Sequence, residues 1–409
     1  MKRIVILGAG TAGTMMANKL VRALPARDWR VTVVDRDDLH VYQPGLLFLP
    51  FDAYRPEELV RPRTRLLDPS VEVHLAEIDR VAPDEKRVYL EGGTKLDYEL
   101  LIVATGSRIL PGETAGLTGQ GWMKDAFEFY TLEGALALRN RLAELEGGRV
   151  VVNIVDLPIK CPVAPLEFAF LAEAFFVKRG IRDKVQLSYV TPLDGAFTKP
   201  RASAALGEMM RARNIEVVPE FNLAEVDGGR RVMKSYDGRE VDYDLLVTIP
   251  LHGGAAAITK SQMGDAGGWL PTNKHTLQST QWPNVFALGD ATDVPASKAG
   301  AVAHFQSEVL FDNVLRFIAG RPLEAAYDGH TNCFIETGYG KAMLIDFNYT
   351  TEPLPGRFPL PGVGPFTLLE ESAVNHWGKL GFKWVYWNVL VAGKELPLDH
   401  RMLMAGKWA

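Results

Sequence analysis

Apolar positions along the chain switch repeatedly between two periods. Ile4–Leu7 is a continuous apolar run, a helical pattern follows to about Leu24, and Arg30–Asp35 is a second run. Apolar runs on either side of a 3.6-residue pattern predict a buried βαβ unit. Residues Val71–Asp79, Arg87–Glu91 and Leu96–Val103 alternate and predict a β-meander. A second strand–helix–strand pattern covers Val150–Val155, Phe168–Phe176 and Val185–Val190, and a strand at Val285–Leu288 precedes an apolar helix running through His304, Gln306 and Leu315. Beyond about Glu324 the composition changes. A strand is expected at Ala342–Tyr349, then a Pro/Gly-rich stretch from Pro353 to Pro365, then an aromatic helix. In that helix Val374, Trp377, Leu380, Trp384 and Trp387 share one face, and Asn375, Lys379 and Lys383 mark another.

The pattern repeats. The stretch Glu91–Val103, a hairpin running into a strand, is echoed by Tyr236–Thr248. Two such endings imply two similar nucleotide-binding-type domains, the second inserted within the first. The expected fold is therefore α/β with two Rossmann-like domains and a C-terminal α+β region. The first domain is assigned residues 1–112 and 251–323, the second 113–250, and the C-terminal region 324–409.

Composition removes several classes of function. The 409 residues are 47% hydrophobic and 23% charged, with a net charge of −5, so nothing points to nucleic acid. No run of about 18 apolar residues offers a spanning helix. Two cysteines, Cys161 and Cys333, are too few for a disulfide scaffold or a four-thiolate zinc site. The basic start runs straight from Ile4–Leu7 into glycines, which reads as a first strand and not a cleaved leader.

The candidate chemistry lies in the turns. Gly8, Gly10 and Gly13, between strand and helix, form a dinucleotide fingerprint, with Thr11 and Ala12 opening the helix. Asp35, with Arg36 beside it, ends the second strand where a carboxylate binds a ribose hydroxyl. Small residues at Ala104-Thr105-Gly106 again permit close backbone approach. Gly289-Asp290 closes a later strand, and Lys298 follows either as a site lysine or as a solvated one. The loop His40–Gly45 lies beside the first nucleotide turn, either lining that site or as an ordinary connection. In the second domain the equivalent turn is Lys160-Cys161-Pro162-Val163-Ala164-Pro165-Leu166-Glu167, with prolines where glycines would stand. The second strand ends in Thr191-Pro192, without an acid for a ribose. Proline also removes donors that a pyrophosphate needs, so NAD(P) is not expected there.

These motifs, with Val285–Ala291, Ser297-Lys298-Ala299-Gly300 and Cys333 ahead of Thr337-Gly338-Tyr339-Gly340, occur together in one order. In that order the chain resembles the sulfide:quinone oxidoreductases, relatives of the flavoprotein disulfide reductases. The resemblance covers nearly the whole chain, and its specific parts are the cysteine-proline turn and the Cys333 segment. It implies non-covalent FAD in the first domain, with Asp290 on its ribityl side, and Cys161 and Cys333 beside the flavin ring. Sulfide would attack the cysteine pair as a disulfide, FAD would take the electrons, and a membrane quinone would accept them. The flavin-facing role goes to Cys333, although nothing in the sequence separates the two sulfurs. Glu167 is a proton-handling candidate whose pKa burial would raise; a helix-start carboxylate is the other reading of it. Phe334, Tyr339, Tyr386 and Trp387 are candidates for flat apolar walls around the quinone, or for core packing.

The Trp/Lys helix suits a bilayer interface, although a domain-packing or dimer helix would carry the same pattern. The expectation is a peripheral protein of the cell membrane, on the cytoplasmic side for want of a leader, and compatible with a homo-oligomer. Many members carry a third cysteine before the second domain; Trp122–Thr131 has none, and Gly195-Ala196-Phe197-Thr198 stands where some carry histidine. A single-subunit NADH:quinone oxidoreductase would need a second glycine fingerprint after Val150–Val155. A flavocytochrome sulfide dehydrogenase flavoprotein would favour an export signal. A flavin-binding regulatory protein would leave both cysteines inert.

Overall fold

A computed structural model describes residues 1–359, 364–396 and 398–408; part of the Pro/Gly-rich stretch and the last residue of the C-terminal region lie outside them. Two five-stranded parallel sheets carry the fold, and their strands run in corresponding order. In the first, Lys2–Leu7 lies at the centre between Trp29–Asp35 and Leu100–Val103, with Glu72–Leu75 and Val285–Ala287 at the edges. In the second, Gly148–Ile154 takes the centre between Val185–Val190 and Leu245–Ile249, with Ile215–Val218 and Ala126–Phe127 outside. The apolar runs are continuous because both faces are covered, one by helices and the other mainly by antiparallel strands: Ile4–Leu7 and Val150–Val152 are at most 1% exposed.

The repeat is visible as two antiparallel three-stranded sheets, Ile78–Ala82/Arg87–Leu90/Lys95–Asp97 and Leu223–Asp227/Val232–Ser235/Glu240–Asp242. The expected meander is thus narrower than its alternation suggested. Glu72–Leu75 and Leu100–Val103 leave it to pair in parallel within the first sheet. The chain departs from the first sheet and returns to it side by side, since Arg108–Ile109 pairs antiparallel with His252–Gly253.

The His40–Gly45 stretch is not an ordinary loop. It leads into a 3-10 helix, Gln43–Phe51, packed against the helices Leu132–Glu144 and Ala164–Lys178. Phe51 packs on Phe168 with ring centroids 5.0 Å apart, and Phe168 stacks on Phe129 at 4.9 Å. The C-terminal region is a five-stranded sheet in which Thr331–Gly338 pairs with Lys341–Phe347, covered by the helix Ala373–Val385. Ser372 caps that helix, its side chain accepting from the Asn375 N–H. A π turn at Tyr386–Leu390 ends it, with the Val391 N–H donating to the Tyr386 carbonyl at 3.1 Å.

Candidate active site

The cysteine-proline turn leaves the central strand of the second sheet and enters the helix Ala164–Lys178, with Pro165 in its first turn. Cys161 adopts the left-handed region, φ 47°, which is uncommon for a residue with a side chain. Three bonds hold it there. Its N–H donates to the Lys298 carbonyl (2.6 Å), and its own carbonyl accepts from the Ala164 N–H (2.9 Å) and the Tyr130 hydroxyl (3.2 Å). Cys333 comes from the strand Thr331–Gly338, paired with Ile345. Both thiols are partly buried against the main core.

The surroundings suppress ionisation of both thiols. Burial, with the Glu167 charge adding to it, pushes Cys161 up to about 12, while Lys379 and a backbone N–H pull it down. Burial likewise pushes Cys333 up, with the charges of Cys161 and Glu167 adding to it, and Lys379, bonded to both Glu167 and the Phe334 carbonyl, joins the two cysteine segments at one pocket.

Glu167 is fully buried and stands between the cysteines and the terminal helix. One oxygen accepts from the Glu336 N–H at 2.7 Å and from the Lys379 ammonium. The other has no partner among the described residues. Lys379 also donates to the Phe334 carbonyl at 3.0 Å. Burial raises the Glu167 pKa against the pull of Lys379. For Lys379 burial works downward, but the Glu167 and Glu336 carboxylates outweigh it and raise its pKa. Lys379 is therefore not the interface-flanking lysine that the helical pattern suggested; it is the cation of the sulfur pocket.

The first-domain turn has the form of a pyrophosphate cradle. A Cβ on Gly8 would stand 2.4 Å from the Ala104 carbonyl oxygen, and one on Gly13 would stand 1.8 Å from that of Gly8. A Cβ on Gly10 would meet open space, and no side chain caps the helix Thr11–Ala23. Asp35 accepts from the Ala9 N–H (2.6 Å) and pairs with Arg63 (3.1 Å). Thr105 Oγ1 is buried without a partner among the described residues, and Gly106 also faces open space. Gly289 is left-handed (φ 69°), with its N–H on Gln306 Oε1 at 2.6 Å. Asp290 is pushed up by burial and held down by Lys298 and Lys160. Orphaned donors and acceptors around an open cradle fit a dinucleotide such as FAD.

Residues 2–155 match the pyridine nucleotide-disulphide oxidoreductase family. The mitochondrial sulfide:quinone oxidoreductase of Mus musculus is 27% identical over 397 residues, covering 95% of this chain and 86% of the mouse protein. The chain is a homologue of the sulfide:quinone oxidoreductases. The sulfide-quinone reductase of Aquifex aeolicus is 24% identical over 308 residues, covering 72% of this chain and 69% of that one. The X-ray structure of the sulfide:quinone oxidoreductase from Aquifex aeolicus superposes with a TM-score of 0.80 at 19% identity, over 95% of this chain and 92% of the other.

Within this oxidoreductase fold the expected site residues divide. Cys161, Cys333, Glu167 and the backbone of Phe334 come together. The Phe334 ring meets Phe366 edge-on at 5.2 Å beneath the terminal helix. Tyr339 does not join them. It is 55% exposed in the turn after its strand, and its hydroxyl donates to Glu173 (2.9 Å), because a Gly338–Gly340 turn carries it out of the sheet. Tyr386 and Trp387 are buried, but at the nucleotide turn. The Tyr386 hydroxyl bonds Thr11 Oγ1 and His40 Nε2, each at 2.7 Å, and Trp387 lies under the Arg61 guanidinium, 4.4 Å from the ring centre. The π turn rotates Trp387 off the outward stripe, leaving Val374, Trp377 and Trp384 exposed.

Lys298 is buried, not solvated. Its ammonium donates to the Asp290 (3.1 Å) and Thr292 (2.7 Å) carbonyls above the Trp269 ring. Arg36 is exposed and pairs with Asp37, while Arg63 is the arginine that reaches the turn, donating to the Ala9 carbonyl at 2.7 Å. Lys379 and Arg63 belong to these sites without any motif marking them.

Proposed function

We propose that the protein oxidises sulfide at the Cys161–Cys333 pair and passes the electrons through FAD to a quinone. The observation that carries this reading is the pocket shared by two cysteines and a buried Glu167–Lys379 pair, in the turn where a sibling domain would hold a second nucleotide.

In the disulfide form of the pair, HS⁻ attacks one sulfur, forms a new S–S bond to it and expels the other as a thiolate. Both thiols are held above their ordinary pKa, so an expelled thiolate needs a counter-charge, and Lys379 is the cation that lowers Cys161. Glu167, raised by burial and with one oxygen unpartnered among the described residues, takes the proton of the incoming sulfur. Gly8, Gly10, Gly13, Asp35, Thr105, Gly289 and Asp290 would hold FAD, which supplies the two-electron carrier between sulfur and quinone. Cys333 keeps the flavin-facing role in this reading. Of the four wall candidates, Phe334 remains on the quinone side, beside Lys379.

The domain division at residues 112 and 250 is part of the proposal, supported by the antiparallel pairing of Arg108–Ile109 with His252–Gly253. So is the absence of an NAD(P) role for the second sheet, since Pro158, Pro162 and Pro165 occupy its turn. The test is an anaerobic titration of the FAD-loaded protein. Sulfide bleaches the flavin, quinone restores its colour, and NADH does neither. Rapid bleaching by NADH with indifference to sulfide would refute the proposal.

Peripheral membrane binding completes the reading. Among the described residues no helix is long and apolar enough to cross a membrane. Trp377 and Trp384, 67% and 65% exposed on one stripe with Val374, give the terminal helix an apolar outer face. Replacing both tryptophans by glutamate is expected to abolish sedimentation with liposomes while leaving FAD binding intact. Unchanged co-sedimentation would assign the stripe to another partner.

A further inference from the structure

Beside the sulfur pocket lies an acid–base pair that neither the sulfur step nor the cofactor cradle uses. Glu336, three residues after Cys333 on the same strand, is 1% exposed. Both of its carboxylate oxygens stand 3.0 Å from His376 Nδ1. Its backbone N–H donates to Glu167 at 2.7 Å, tying the pair to the sulfur pocket. The charges that reach the Glu336 carboxylate from its neighbours are Lys379 and His376 on the terminal helix, with Glu167 on the Ala164–Lys178 helix close enough to be raised by it. Tyr54, beyond the Gln43–Phe51 segment, is a phenol that its charge reaches, pushed up to about 12 by burial, then by Glu58 and Glu336. His376 precedes Lys379 by one helical turn, keeps 20% of its side chain exposed, and lies edge-on to the exposed Trp377 with centroids 5.7 Å apart. One end of the pair thus touches solvent and the other touches the buried cluster.

The proposed reaction needs such a connection. HS⁻ yields zero-valent sulfur, two electrons and one proton, whereas a quinone takes two electrons and two protons to become a quinol. The balance is HS⁻ + H⁺ + quinone → S⁰ + quinol, so each turnover draws one proton from solvent into a buried site. We infer, on the reading above, that His376 and Glu336 are the inlet for that proton. They pass it from the outer face of the terminal helix to the cluster around Lys379, where the quinone is protonated. Neither residue touches the sulfurs; they act through Lys379 and Glu167, as positioning residues for a proton.

The two half-reactions of the FAD-loaded enzyme separate this role from a structural one. In His376→Ala, anaerobic bleaching by sulfide is expected to stay within about twofold of the parent. Reoxidation by a water-soluble benzoquinone is expected to slow about tenfold or more, and added imidazole restores it. Glu336→Gln, which keeps the shape and loses the proton site, is expected to slow the same half-reaction without rescue by imidazole. Reoxidation at the parental rate in both variants would overturn the inlet. So would equal slowing of both half-reactions, or slowing of His376→Ala that imidazole does not relieve. Failure of sulfide to bleach the parent enzyme is a different result, and it overturns the sulfide reading itself.

Discussion

Anaerobic sulfide is expected to leave the flavin oxidised in both Cys161→Ser and Cys333→Ser, with bleaching slowed about a thousandfold or more relative to the parent. A hydroxyl forms no disulfide, so HS⁻ has no S–S bond to attack and no thiolate leaves. The substitution is nearly isosteric, and the bonds that set the Cys161 turn are made by backbone atoms, through Lys298, Ala164 and Tyr130. FAD absorbance and thermal midpoint should therefore stay close to those of the parent, which separates lost chemistry from lost fold. Stopped-flow absorbance at the flavin band measures both variants. Bleaching at the parental rate in either one would remove the cysteine pair from the mechanism.

Lys379→Met is expected to produce the second large effect, on stability and on pH dependence together. Lys379 bonds Glu167 and lies within the field of Glu336; these carboxylates are at most 1% exposed. Breaking a buried pair by removing one partner costs about 3–5 kcal/mol, because the remaining charge stays desolvated. The carboxyls can escape part of that cost by holding their protons. Burial already raises the Glu167 pKa, and Lys379 is the largest influence holding it down. In the variant that pKa rises further, so the ionised carboxylate forms only at higher pH. The acid limb of the sulfide-bleaching profile should move to higher pH. Stability in the variant should also improve as pH falls, since the folded state then binds more protons than the unfolded one. Denaturant unfolding at several pH values, with the bleaching profile, checks both. An unshifted acid limb would mean that Glu167 does not handle the proton.

The main lines of the fold were legible because parallel strands leave long apolar runs and glycine turns leave spacings. Gly8, Gly10 and Gly13 could be read at once, since a Cβ at two of them collides with backbone. The echo between Glu91–Val103 and Tyr236–Thr248 was legible for the same reason, as one hairpin built twice. Lys379 was hidden. It lies in a helix whose pattern suits a membrane surface, and only the strand carrying Glu336 and the burial of Glu167 show that this face turns inward. Tyr339 and Trp387 misled for local reasons: a glycine turn threw one outward, and a π turn rolled the other inward, and neither leaves a period in the sequence. The alternation that suggested a wider meander could not say which strands pair with which sheet, because pairing is decided by residues far apart in the chain.

The bond from the Cys161 N–H to the Lys298 carbonyl joins the cysteine turn of one sheet to the cofactor loop of the other, and Lys160 and Lys298 form a single parallel rung at the same place. The same Lys298 closes its own loop by holding the Asp290 and Thr292 carbonyls. The reactive sulfur is therefore anchored to the neighbouring domain as firmly as to its own. Any hinge motion that parted the two sheets would break the rung, disturb the cofactor loop and shift the cysteine in one event. On the proposed reading the distance from Cys161 to the cofactor is held by that main-chain rung, and a change that unseats either loop is expected to unseat both.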